Sequence, residues 1–187
     1  LERTKSDASA SSRYEKIVVD FEAVEELFLN VFIESKGGVE PSRLVIDLDP
    51  SDVALHGSQE ERFFHGYYGH YCYLPMYAYC GEYPLSVQLR PSNIDGALGA
   101  KELFERIVQK LRKVWPSTHI ILRADGGFCR DELLSYCEDT DGVDYIMGLA
   151  KNNRLKKALA KPMERARRAH LQRGGAQRYF ADFHYRT

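Results

Sequence analysis

The amino-acid sequence predicts an α/β fold in which a mixed sheet, with three antiparallel strands followed by parallel strands, is flanked by helices. Three strand-like segments between residues 44 and 90 are connected without an intervening helix, which is typical of an antiparallel meander. Two later strand-like segments each follow a helical segment, and strands joined through helices are typically parallel. A composition of 44% hydrophobic and 28% charged residues is that of a globular protein. No apolar run approaches the roughly 20 residues that span a bilayer.

The first helix is predicted after a polar, serine-rich start, which we expect to be frayed over residues 1–15. Apolar residues between positions 21 and 32 recur with the spacing of one helical stripe. The glycines and proline of the segment SKGGVEP (35–41) then end this helix. The stripe consists of Phe21, Val24, Leu27, Phe28, Val31 and Phe32.

The first strand of the sheet is predicted in the segment RLVIDLDP (43–50). Because side chains alternate along a strand, Leu44, Ile46 and Leu48 point to one face. Val45 and two acids, Asp47 and Asp49, point to the other face. Carboxylates in so apolar a segment are costly unless they are paired or bind a metal, so this strand is the first candidate site.

The next segments complete the meander. Residues 52–70 form a polar, glycine-punctuated loop or irregular strand, in which His56 and His65 either contact phosphate or are structural histidines. Strands follow at 71–80 and 84–90, joined by a connection of hairpin length. Pro75 places the first of these at a sheet edge or a bulge. The many tyrosines from position 67 to 83 either stack on nucleobases or pack across strands.

Alternating helices and strands make up the rest of the chain. Asp95 is the expected N-cap of a long amphipathic helix that ends at Trp115-Pro116. A buried strand then ends in an acid, Asp125. The later elements are a short helix at 129–138, a strand at 143–150, a basic helix at about 153–170 and, after a Gly-Gly turn, a strand at 177–185.

This element order is that of the RNase H fold, in which the first and fourth strands are neighbours in the sheet. Asp49, in the first strand, and Asp125, at the end of the fourth, are therefore expected to meet. Asp47 is expected to support them as a neighbouring residue or an ion-pair partner. The alternative for Asp125 is that its side chain caps a turn or a helix.

Two adjacent carboxylates repel each other, and a divalent metal removes that conflict. Mg²⁺ or Mn²⁺ prefers oxygen ligands, and two ions about 3.5–4 Å apart support phosphoryl transfer. We therefore predict Asp49 and Asp125 as catalytic residues and metal ligands. No two of the four cysteines have the CxxC spacing that is common among zinc ligands, which disfavours a zinc site.

Charge is distributed unevenly. Residues 151–187 contain eleven Lys and Arg but two acids, a balance of +9, whereas residues 1–150 have a balance of −10. This asymmetry indicates either a basic arm for a nucleic acid or a solvated helix face beside another partner. The candidate nucleic-acid-binding residues are Lys151, Arg154, Lys156, Lys157, Arg165, Arg167 and Arg168.

Four motifs together resemble the group 1 DDE transposases of bacterial insertion sequences over residues 20–187: IDLDPSD-x3-HG-x-QE, RFFHGYYGHYCYLP, LRPSNIDGA and ILRADGGF. The resemblance implies an RNase H-like catalytic core that binds Mg²⁺, as two ions in the full-length enzyme, and moves a DNA element by cutting and rejoining it. The family's first catalytic Asp corresponds to Asp49, or to Asp47 if the register shifts by two residues. Its second corresponds to Asp125.

The family's third acid is a Glu in a Tyr-x2-Arg-x3-Glu helix, and residues 151–187 contain no such motif. Related transposases carry a β-rich insertion before that helix, so the chain is expected to be truncated within it. The expected limits are a tail and lead-in helix (1–40), the catalytic core (41–170) and the start of the insertion (171–187). We expect solvent-facing roles for Glu132, Glu138 and Glu164, and little or no transposition by this chain alone.

The resemblance also implies the partners: terminal inverted repeats, target DNA, and a homodimer or larger synaptic complex on DNA, in a cytoplasmic, nucleoid-associated protein without a membrane segment. Two alternatives remain open. One is an RNase H-like nuclease or resolvase that uses the same acids. The other is a non-catalytic nucleic-acid-binding domain, whose acids cap turns.

Overall fold

A computed structural model describes residues 2–4 and 17–184, which fall into two compact units, Leu1–Gly148 and Leu149–Thr187. These units are defined by compactness, so the functional limits at 40/41 and 170/171 remain a prediction. No helix among the described residues is both long and apolar enough to cross a membrane.

The described residues of the first unit form a mixed five-stranded sheet and three α-helices. Its strands in the main sheet are β3 (Arg43–Pro50), β7 (Met76–Cys80), β8 (Tyr83–Gln88), β9 (His119–Ala124) and β10 (Val143–Met147). Its helices are α1 (Phe21–Ser35), α2 (Ala100–Val114) and α3 (Asp131–Asp139). Two smaller sheets contain β1 (Glu2–Thr4) with β2 (Ile17–Val19), and β4 (Val53–Ala54), β5 (Phe63–His65) and β6 (His70–Tyr73).

The main sheet has the strand order β10-β9-β3-β7-β8. Its neighbours β3, β7 and β8 are antiparallel, whereas β3, β9 and β10 are parallel. This confirms the predicted mixed sheet of three antiparallel strands followed by parallel ones. It also places β3 at the centre, beside β9, which is the fourth strand of this sheet in chain order.

One face of β3 is buried, as its alternation predicts. Leu44, Ile46 and Leu48 are at most 5% exposed and belong to a single apolar core. Helix α2 contributes a continuous stripe to the same core, because its apolar residues recur at helical spacing. The buried residues of α2 are Ala100, Leu103, Phe104, Ile107, Val108 and Leu111.

Two helix details differ from the sequence predictions. Helix α1 buries Leu29 and Phe32, while Phe21, Leu27 and Val31 of the predicted stripe are largely exposed. Because α1 packs on the core through a contact narrower than its apolar stripe, the residues at the edge of the stripe stay exposed to solvent.

Helix α2 does not use Asp95 as its N-cap; it begins at Ala100 after Gly99, which has a positive φ of 79°. Asp95 instead accepts a hydrogen bond from the backbone N–H of Ala97 (2.8 Å) and pairs with Arg130 (2.6 Å). The prediction was wrong because the short polar side chain of Asp95 caps a turn that begins five residues before the helix.

The single strand predicted at 71–80 is two strands in different sheets, β6 and β7, separated at Leu74-Pro75. Proline has no N–H to donate to a ladder, so the chain changes sheets there. The Pro75 carbonyl is used, because it accepts a hydrogen bond from the N–H of Ser51. The preceding segment, predicted as a loop or irregular strand, forms β4 and β5, which pair with β6.

Arg90 is a buried arginine, 9% exposed, that fixes the loop between β8 and α2. Its guanidinium donates hydrogen bonds to the carbonyls of Leu74 (3.0 Å), Leu98 (2.7 Å) and Gly96 (2.9 Å). Burial lowers the pKa of Arg90, while the charge of Asp95 opposes that effect. One side chain therefore satisfies three carbonyls that would otherwise need water or another donor.

The second unit contains α4 (Asn153–Ala158) and α5 (Ala160–Arg173), so the single basic helix predicted from sequence is interrupted at Leu159. The strand predicted at 177–185 does not form between residues 177 and 184, and Tyr185 lies outside the described residues. Alternating character alone does not make a strand, because a strand needs a partner for its backbone hydrogen bonds.

Replacing Arg90 with Ala is expected to lower the free energy of unfolding of this chain by about 3 kcal/mol, because the carbonyls of Leu74, Gly96 and Leu98 lose their donors and a buried side chain is removed. Chemical denaturation with a two-state fit measures this change. The control is Arg43→Ala, since Arg43 is exposed and its removal should change stability little. Equal stability of the two variants would contradict a stabilising role for Arg90.

Candidate active site

The two acids of β3 lie on the face opposite the core, near the carboxyl end of the strand. Asp47 is half-buried and Asp49 is exposed. In the neighbouring strand β7, Tyr79 lies opposite Asp47 and Tyr77 lies opposite Asp49. The Asp49 carboxylate accepts one hydrogen bond, from the Ser51 hydroxyl (3.3 Å).

Asp125 follows directly after β9, with an extended backbone (φ −78°, ψ −178°). Its Oδ1 accepts a hydrogen bond from the N–H of Gly127 (2.8 Å), which caps a short 3₁₀ turn over Gly126–Phe128. The turn packs tightly, because a Cβ added to Gly148 would lie 3.3 Å from the backbone nitrogen of Gly126. Asp125 therefore caps a turn, which was the alternative role inferred from the sequence, and the cap uses one carboxylate oxygen.

The register of the parallel strands relates these acids. The last β3–β9 pair is Asp47 with Arg123. Asp49 lies two residues beyond Asp47, and Asp125 lies two residues beyond Arg123. Two residues along a strand restore the same face, and neighbouring strands are about 4.8 Å apart. The topology therefore carries Asp49 and Asp125 to the same edge of the sheet.

Asp47 is occupied by an ion pair with Arg123. The guanidinium binds both carboxylate oxygens, with Nη2 donating to Oδ2 at 2.8 Å and Nε donating to Oδ1. The hydrogen bond and the charge of Asp47 raise the pKa of Arg123. Sequence reasoning missed Arg123, although Arg123 precedes Asp125 by the same two residues by which Asp47 precedes Asp49.

A second polar group, also missed from the sequence, lies around Asp52. The ring Nε2 of His70 is 2.6 Å from the Asp52 carboxylate, and the Tyr68 ring stacks on His70 with centroids 6.1 Å apart. The pKa of Tyr68 is raised by burial and by the negative charges of Asp52 and Asp49. The alternation of side chains along β6 could have indicated that His70 points inward, because His70 lies on the same face of the strand as the fully buried Cys72.

The histidines singled out from the sequence have different environments. His65 is half-buried, with its ring 4.8 Å from the ring of Tyr68, whereas His56 is exposed. The three other acids, Glu132, Glu138 and Glu164, are exposed as expected.

The donor set at the sheet edge fits a divalent metal only in part. Asp49 and Asp125 supply hard oxygen atoms, which Mg²⁺ and Mn²⁺ prefer. Within residues 2–4 and 17–184, no group of three or more His, Cys, Asp and Glu side chains is close enough to hold a metal ion.

The basic residues of the second unit are available to solvent. All seven candidate nucleic-acid-binding side chains are exposed, and Arg168 forms an ion pair with Glu164 at 2.8 Å, one helical turn away in α5. The seven are Lys151, Arg154, Lys156, Lys157, Arg165, Arg167 and Arg168.

Comparison with known proteins gives two matches. The family described as "Transposase DDE domain group 1" matches residues 1–187. A search of curated proteins finds no match. Among solved structures, the chain is similar to the "Cryo-EM structure of piggyBac transposase synaptic complex with hairpin DNA (SNHP)", with 10% identity and a TM-score of 0.41. The similarity covers 74% of this chain and 32% of that chain, so this chain spans less than two thirds of the transposase's length.

Substitutions of Asp125 can separate the effect of its capping hydrogen bond on stability from the effect of its negative charge. Asp125→Ala is expected to lower the free energy of unfolding by about 1 kcal/mol, whereas Asp125→Asn, which keeps the acceptor oxygen, should change it little. Asp49→Ala is the control, since Asp49 accepts only one long side-chain hydrogen bond. Thermal denaturation of the three variants measures the effect. Equal losses in Asp125→Ala and Asp125→Asn would show that the charge, not the cap, stabilises the turn.

Proposed function

The chain belongs to the group 1 family of transposase DDE domains, and we propose that it forms the catalytic core that cuts and joins DNA strands by metal-dependent phosphoryl transfer. In this proposal Asp49 and Asp125 are the first and second catalytic acids. Asp47 holds its neighbour Arg123 and supports the strand ends rather than binding metal.

The observation that carries this proposal is the parallel pairing of β3 with β9, which brings the ends of two acid-bearing strands to one edge of the sheet. The acids are 76 positions apart in the sequence, so only the sheet can bring them together. An acid used solely to cap a turn would have no need of a second acid at the same edge.

Each acid has capacity for a ligand. Asp125 uses Oδ1 for the cap, and Oδ2 points to no hydrogen-bond donor among the described residues. Asp49 is exposed. A divalent ion held there supplies electrostatic stabilisation of phosphate charge and activation of the attacking group. Asp49 and Asp125 would hold the ion, and Arg123 would keep Asp47 from competing for it.

The type of catalytic core, the parent element, the DNA substrates and the assembly are part of the same proposal. The sheet, with its first and fourth strands adjacent, is consistent with an RNase H-like core. We propose a bacterial insertion sequence as the parent element, with its terminal inverted repeats and a target DNA as substrates, in a homodimer or larger synaptic complex. A third acid would complete the ligand set, and residues 151–187 contain no match to the family's Tyr-x2-Arg-x3-Glu motif.

One observation favours a second candidate, a non-catalytic nucleic-acid-binding domain. Asp125 caps a turn, which is a structural reason for its presence that needs no metal. Such a domain would bind DNA through its basic second unit, and the acids would not affect binding.

Crystals of the chain soaked in Mn²⁺ test the metal site. We expect anomalous density in contact with both Asp49 and Asp125, and its loss in Asp49→Asn and in Asp125→Asn. Asp47→Asn is the matched control, since it removes an acid of the same strand and should leave the density in place. Density that survives both substitutions, or that depends on Asp47 alone, would contradict the assignment.

The basic unit is expected to bind DNA through phosphates. Removing two cations with Lys156→Gln and Lys157→Gln should weaken duplex binding at any sequence and lower the slope of log affinity against log salt by about 2. Fluorescence anisotropy over a salt series measures both quantities. Lys110→Gln with Lys113→Gln on α2 is the control of equal charge change; an equal fall in slope there would show that binding is not confined to the second unit.

A further inference from the structure

An exposed tyrosine stands at the tip of the hairpin formed by β5 and β6. Residues 66–69 connect the two strands, and Gly69 adopts a positive φ of 75° in that turn. The side chain of Tyr67 is 88% exposed. A large aromatic ring left almost wholly in water gains nothing from burial in the described structure, so its position needs another reason.

The ring of Tyr67 is nevertheless supported from below. It meets the Tyr68 ring edge to face, with centroids 5.1 Å apart and an angle of 85°. Tyr68 in turn lies against the rings of His65, at 4.8 Å, and His70, at 6.1 Å. Ring contacts of this kind are individually favourable, and Tyr67 loses less freedom on stacking a ligand because it rests on Tyr68, which two other rings hold in place.

The same ring series leads to the acids. His70 is held by Asp52 through a 2.6 Å contact, and Asp52 lies three residues after Asp49. The charges of Asp52 and Asp49 act on Tyr68, in addition to its burial. Side chains in contact therefore run from the tip of the hairpin to Asp52, three residues along the chain from Asp49.

The chemistry of the hairpin surface is aromatic rather than aliphatic. On its other face, Phe64 is 58% exposed and contacts Tyr71, and the guanidinium of Arg62 lies 4.6 Å from the centroid of the Tyr71 ring. Flat rings and a guanidinium offer stacking faces, and the flat ligands that DNA presents are its bases. The acids of this region disfavour phosphate contact here, so a base is the better fit than the backbone.

We propose that Tyr67 is a stacking surface for an unpaired nucleobase of DNA next to the phosphate that a divalent ion would hold at Asp49 and Asp125. The inference rests on the proposed function, because it takes DNA as the substrate. A base inside a duplex has both faces covered by its neighbours, whereas a base at a strand end or displaced from the helix exposes a face. Tyr67 therefore selects DNA with unpaired bases over intact duplex.

The test uses the chain with a DNA duplex that ends in a single-stranded overhang carrying the fluorescent base 2-aminopurine, whose emission falls when it stacks. Binding of the chain is expected to quench the emission. Tyr67→Ala should abolish the quenching and weaken binding of the overhang DNA by about tenfold, the usual effect of removing one stacked aromatic. Tyr67→Trp should restore both.

Two controls separate stacking from folding and from general DNA binding. Phe21→Ala removes another half-exposed ring, on α1, and should leave the quenching unchanged. Fully paired DNA without an overhang should bind Tyr67→Ala as tightly as the unsubstituted chain. Salt-dependent binding with quenching that survives Tyr67→Ala overturns this inference and leaves the proposed function standing. A chain that binds no DNA at low salt overturns both.

Discussion

The parallel pairing of β3 with β9 is the interaction on which the core and the candidate site both depend. It sets Asp47 opposite Arg123 and buries Ile46 and Leu48 on the reverse face. Because side chains change face at every residue, a slip of one position would put carboxylates into the core and apolar side chains into water. The apolar face therefore fixes the register, and the register in turn determines where Asp49 emerges.

The central place of β3 has a second consequence, at its carboxyl end. A strand with neighbours on both sides is held along its length, so residues just beyond the last ladder pair start from a fixed position. The loop fixed by Arg90 adjoins this end, since a Cβ on Gly96 would lie 3.3 Å from Pro50. Buried hydrogen bonds made by one arginine thus shape the surroundings of the candidate acids without contributing a ligand.

Asp125 combines structural and proposed chemical roles. Its cap orders the turn after β9, and the backbone of that turn packs against Gly148 at the end of β10. An acid held by its own turn has a restricted set of rotamers, which reduces the entropy lost when a ligand binds. Under the proposed function, the capping bond is therefore part of the organisation of the site. Asp47 shows the complementary case, because both of its oxygens are used by Arg123.

The sequence by itself determined the α/β class, the mixed order of the five main strands and the face of β3 that carries the acids, because periodicity of apolar residues is a local property that each segment displays alone. Only the tertiary structure decided the N-terminus of α2, the separation of β6 from β7 at Pro75, and the failure of residues 177–184 to form a strand. It also decided the partners of Asp47 and Asp52. Each of these depends on which backbone or side-chain group a distant segment brings within hydrogen-bond distance, and no local pattern carries that information.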